Sequence, residues 1–72
     1  MQTLTTVRSY NNYFNAHLAV NKLQAEGIQA FLQNEHIVTI DPFLSNAVGG
    51  IKVNVFTQDA PLALMILDTV DI

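Results

Sequence analysis

"GIKVNVFTQDAPLALMILDTV", residues 50–70, carries two periodicities back to back, and the switch between them decides the fold. From 50 to 57 the apolar residues alternate, with Ile51, Val53 and Val55 facing one way and Lys52, Asn54 and Phe56 the other. A period of two is that of an extended strand with one buried face. After Asp59 the spacing lengthens to that of a helix. Pro61 falls in the first turn, where its missing N–H is no loss, and Asp59 is placed to cap the free backbone amides. The reading is a half-buried strand over 50–57 and a helix over 60–70. Ala63, Ile66, Leu67 and Val70 line one face of that helix, while Leu64 and Met65 point elsewhere.

Working upstream, "IQAFLQ" (28–33) places Ile28, Ala30 and Leu32 on one side and Phe31 on the other, as a strand would. Before it, Ala16, Ala19, Val20 and Leu23 recur at helical spacing, with Asn11 and Asn12 available as caps and Gly27 as the stop. This predicts a helix over 12–26. Phe14 and Leu18 lie four apart on its other side, a second apolar stripe like that of Leu64 and Met65. "TLTTVRSY" (3–10) alternates imperfectly but is rich in Thr, Val and Tyr, and reads as the first strand. The order strand, helix, strand, long connection, strand, helix is an α+β, ferredoxin-like β-α-β-β-α arrangement without its final strand. It predicts an antiparallel sheet with both helices on one face.

Size and composition narrow what such a fold can be for. Seventy-two residues suffice for one domain, 1–72, and such a chain buries only about 60% of the surface it exposes when unfolded. There is no cysteine, which removes disulfides, thiol nucleophiles and cysteine zinc sites. Half of the residues are hydrophobic and only 12% are charged. That balance favours a homo-oligomer, with a dimer the expected state and Phe14, Leu18, Leu64 and Met65 the expected interface. The missing final strand agrees, because it leaves the first strand an open edge. Net charge is −3 and the three basic residues, Arg8, Lys22 and Lys52, are scattered, which argues against nucleic acid as a partner. No stretch approaches the ~20 apolar residues of a membrane span and the N-terminus lacks a secretory pattern, so the expectation is a cytoplasmic protein.

Residues 34–49, between the second and third strands, make a longer connection than a hairpin needs. Candidate ligand contacts collect there: Glu35, His36, Asp41, Ser45 and Asn46, followed by Gly49, Gly50 and Lys52. Within it, "HIVTID" (36–41) is compatible with a short strand or an irregular extension ended by Asp41-Pro42. His36, Asp41 and Ser45 contain the residue types of a hydrolase triad, but all three sit in one local stretch without a strand-to-helix elbow. No catalytic residue is assigned and an enzyme is not expected. Glu35, His36 and Asp41 suit a zinc or manganese ion by type, with His17 distant in sequence, and the reading remains solvated loop side chains with no metal and no cofactor. Gly49 and Gly50 read first as a turn before the strand, since the ordered glycine pattern of a nucleotide loop is absent. Lys52, with Arg8 if both share a solvent face, is the expected contact for an anion.

The run "GIQAFLQNEHIVTIDPFLSNAVGGIKVNV", with Ala16 and Leu23 before it and "DAPLAL" after it, resembles a small prokaryotic family of unknown function labelled as signal-transducing proteins. The ordered features are the Gly-Ile pair opening the second strand, the polar step at Asn34 and Glu35, the "SNAVGG" turn, "IKV" and an acidic helix start. The resemblance implies a fold similar to the nitrogen-regulatory PII (GlnB-like) proteins, whose signalling loop also leaves the sheet between the second and third strands. It implies no activity and carries over no nucleotide-binding residue. The resulting expectation is a regulatory binding module that takes a small anionic ligand or a protein partner through the 34–49 loop. The alternative is a purely structural oligomerisation domain.

Overall fold

The computed structural model describes residues 3–35 and 49–69. They form strand β1 (Leu4–Tyr10), helix α1 (Tyr13–Ala25), strand β2 (Ala30–Gln33), strand β3 (Ile51–Phe56), a 3-10 turn (Thr57–Asp59) and helix α2 (Ala60–Asp68). The three strands make one antiparallel sheet in the order β1-β3-β2. The chain is therefore α+β, and its topology is compatible with a small ferredoxin-like arrangement.

β3 occupies the centre, and Ile51, Val53 and Val55 are wholly buried along its inner face. Both helices pack on that face. α1 contributes Ala16, Ala19, Val20 and Leu23 to the core, and α2 contributes Ala60, Ala63 and Leu67. Three of these helical positions are alanines with no exposed surface, Ala16, Ala19 and Ala63, which lets the helices approach the sheet closely. Ile28 joins the core from the α1–β2 connection, and Ala30 and Leu32 of β2 are half-buried against it. Phe14 and Leu18 on α1, and Leu64 and Met65 on α2, stay exposed, Phe14 most of all at 70%.

Local signals account for the element ends. Asn12 has extended backbone and its side chain accepts a hydrogen bond from the Asn15 amide at 2.9 Å, capping α1. Gly27, left-handed at φ +81°, lies just beyond the Glu26 C-cap, and its amide bonds back to the Gln24 carbonyl. The second strand is shorter than the alternation over 28–33 suggests, since pairing with β3 begins only at Ala30. The start of α2 corrects the expectation for Asp59: no side-chain cap bond forms, because the 3-10 turn over Thr57–Asp59 leads directly into the helix. α2 ends at Asp68, and Val70 lies outside the described residues.

The imperfect alternation of β1 has a specific cause. Thr6 pairs with Asn54 and Arg8 with Val53, so Val7 is an extra residue, a β-bulge. Val7 is buried and Arg8 reaches Asp68 on α2, which places both on the helical side of the sheet. Arg8 therefore does not share the solvent face of Lys52. On the helix-free face the Thr6 hydroxyl donates to Asn54 Oδ1 at 2.6 Å, and Asn54 Nδ2 donates to Gln33 Oε1 at 3.0 Å, linking all three strands. Beside that ladder lies an apolar row: Leu4 pairs with Phe56, and Phe56 meets Phe31 edge to face at 5.6 Å.

Truncating the core should be severe. Leu23→Ala is expected to cost ~2–5 kcal/mol, comparable with the ~3–5 kcal/mol that one core supplies in so short a chain, and to leave the variant largely unfolded by circular dichroism. The glycines separate two effects. A Cβ on Gly27 would meet nothing within 4 Å, whereas one on Gly50, at φ +83°, would lie 2.7 Å from the Tyr10 carbonyl oxygen. Gly27→Ala should lose only the ~1–2 kcal/mol of a left-handed alanine, and Gly50→Ala distinctly more. Chemical denaturation of the two variants side by side checks the order, and equal losses would contradict the close approach.

Candidate functional site

Four elements end at one edge of the molecule. β1 finishes at Tyr10, α1 begins at Tyr13, β2 finishes at Gln33, and β3 begins at Ile51. The Tyr10–Ile51 and Gln33–Lys52 pairs hold these ends together, so both stems of the 34–49 connection leave the sheet side by side. Asn34 is left-handed at φ 73° and its side chain donates to the Gly50 carbonyl at 3.5 Å, tying one stem to the other.

Gly49 and Gly50 both have left-handed backbone, at φ +80° and +83°. At Gly50 the need for glycine is steric as well as conformational, because the Tyr10 carbonyl stands where a side chain would go and the Asn11 side chain lies just beyond. At Gly49 the nearest neighbour is the Lys52 stem, whose Cε is 3.5 Å from the position a Cβ would take. Lys52 is half-buried on the helix-free face and makes no ion pair among the described residues. The free amides of the first turn of α1 lie at the same end, and that turn contains no acidic residue. The positive end of a helix favours an anion.

The fold also brings His17 to this end, although it is far from Glu35 in sequence. His17 Nε2 lies 3.8 Å from Glu35 Oε2, too long for a hydrogen bond and close enough for electrostatic attraction when the imidazole is charged. Nε2 is shut off from solvent and has no hydrogen-bond partner among the described residues. The Tyr13 ring, one helical turn earlier, lies against the imidazole with centroids 4.1 Å apart. Tyr10 closes the inner side of the mouth against Ala16 and Ile51. Burial pushes its phenol above the ordinary range, partly countered by the Arg8 guanidinium, so it is a neutral group at physiological pH.

Of the expected ligand contacts, Glu35, Gly49, Gly50 and Lys52 are thus gathered around the two stems. His36, Asp41, Ser45 and Asn46, and the stretch 36–41, lie outside the described residues. Sequence reasoning named His17 only as a residue distant from Glu35 that the fold would have to bring close, as it does, and it passed over Tyr13 and the start of α1. Among the described residues no group of three or more His, Cys, Asp or Glu side chains is placed to hold a metal. No helix among them is long and apolar enough to cross a membrane. A groove of about 350 Å³ lined by Gln24, Gly27, Ile28, Gln29, Ala30 and Phe31 lies at the opposite end of β2, away from this cluster.

Comparison with known proteins adds nothing to this picture: no protein-family model matches the chain, and no curated protein or solved structure matches it either. The likeness to the signal-transducing family and to the PII fold therefore rests on the residues that suggested it.

Proposed function

We propose that this chain is a cytoplasmic, non-enzymatic regulatory module of the ferredoxin-like, GlnB-like kind, and that it binds a small anionic ligand at the stems of the 34–49 loop. One observation carries the reading: the first turn of α1, the Gly49–Gly50 amides and the Lys52 ammonium all stand at the end of the sheet from which the loop departs. Backbone donors supply shape, and Lys52 supplies the charge that attracts the ligand. Glu35 opposes an anion, and its approach to His17 gives that carboxylate a partner other than the ligand. Binding at the stems would change the surface that the ends of the strands present to other proteins, which is how such a module passes on a signal.

A second reading, a structural interaction domain with no ligand, draws on Phe14, Leu18, Leu64 and Met65, which remain exposed after both helices have packed. Homo-oligomerisation is part of both readings. Removing residues 43–46 separates them: an unchanged oligomer that no longer binds ligand supports the regulatory module, and dissociation supports the structural one.

The ligand reading is tested by calorimetric titration and thermal shift against nucleotides, sugar phosphates and dicarboxylates. An anionic compound should raise the melting temperature, and Lys52→Ala should weaken its binding roughly tenfold, the worth of one charge-assisted hydrogen bond. A screen in which no anion shifts the transition, or a Lys52→Ala variant that binds as well as the parent, would rule out this site.

A further inference from the structure

The two edges of the sheet are not equivalent. β2 has four residues and is bounded by left-handed residues at both ends, Gly27 shortly before it and Asn34 immediately after. β1 has seven residues, and among the described residues no strand lies along its outer edge. A strand of that length presents a row of unpaired amide and carbonyl groups, and such a row is completed best by another strand.

Three features point to a second copy of this chain as that strand. First, two identical edges related by a two-fold axis pair antiparallel, so each donor of one copy faces an acceptor of the other and the contact closes on itself. Second, the edge carries no uncompensated charge. Arg8 is the one charged residue of β1, and it is turned to the helical side and paired with Asp68. Two copies can therefore approach without like-charge repulsion. Third, an apolar residue flanks the edge: Leu64 is one helical turn before Asp68, on the flank of α2 that reaches β1 through Arg8, and it is 41% exposed. The two-fold that joins β1 to β1 carries this flank toward its counterpart.

We propose that the chain dimerises through β1, forming a continuous six-stranded antiparallel sheet in the order β2-β3-β1-β1-β3-β2, with Leu64 of each copy beside the seam. This rests on the self-association reading and not on the ligand reading. The outer edges of the dimer are then the short β2 strands, which stops growth at two copies. A standard interface takes ~800 Å² from each partner, and one strand edge with one helical flank offers less, so the dimer populates with concentration.

The test is sedimentation velocity of the full chain from low micromolar to millimolar concentration, combined with amide hydrogen exchange at both ends of that range. The proposal expects a monomer–dimer equilibrium in which amides within residues 4–10 gain protection at high concentration while those of 30–33 do not. Leu64→Glu, which sets like charges beside each other at the seam, should raise the dissociation constant at least tenfold with an unchanged circular dichroism spectrum. If that variant proves unfolded, the exchange pattern of the parent protein decides alone. A dimer whose β1 amides exchange equally fast at both concentrations would overturn the seam and leave self-association standing, with the helix-free face or α1 as the contact. A monomer at every concentration would overturn both.

Discussion

The structure depends on one surface, the inner face of β3, where Ile51, Val53 and Val55 lose all contact with water. Each large buried side chain contributes ~1.5–3 kcal/mol, so a short chain needs all three buried together. One helix cannot cover this face alone. α1 and α2 share it, and the alanines at 16, 19 and 63 let them do so without pushing each other off the sheet. The same arrangement leaves the other face of the sheet without helices, and there Leu4, Phe31 and Phe56 remain partly wet. Using both helices on one side produces a defined core and, with it, an apolar surface on the other face that stays partly exposed.

The loop stems follow from the same core. Because β3 is central, its first residues meet the last residues of both neighbours, and whatever departs between β2 and β3 must leave beside Tyr10 and the start of α1. Gly50 absorbs the crowding this creates against the Tyr10 carbonyl. The candidate site is thus built from chain ends held in strand register. Its charge is mixed. Lys52 makes no ion pair among the described residues, while Glu35 is turned toward the imidazole of His17.

Much of this was legible in the residues, for physical reasons that differ by element. The alternation in 51–56 and the helical spacing of Ala16, Ala19, Val20 and Leu23 report directly which faces are buried, and those faces are the core. Asn12 and Gly27 act through local backbone chemistry, so their roles could be read from their neighbours. Asp59 misled because a cap depends on the backbone geometry before the helix, and here a 3-10 turn precedes it. For the site, the glycines and Lys52 were visible as types, whereas the meeting of His17 with Glu35 was not, since it arises only when α1 is laid beside the end of β2. Nothing in a linear pattern encodes that approach.

The bulge at Val7 shows how one residue can reach beyond its own strand. Without it Val7 would pair with Val53 and Arg8 with Lys52, the place that Ser9 takes in the bulged strand, and the guanidinium would stand on the helix-free face beside the Lys52 ammonium. Two cations would then share one surface. With the bulge, Arg8 crosses to the helical side and meets Asp68, joining β1 to the end of α2. Lys52 is left without a second cation from β1 beside it, and the outer edge of β1 is left without net charge. A bulge normally protects an edge by distorting it. In this strand its electrostatic effect is opposite in sense, because it withdraws the one charge that would have kept a second edge away.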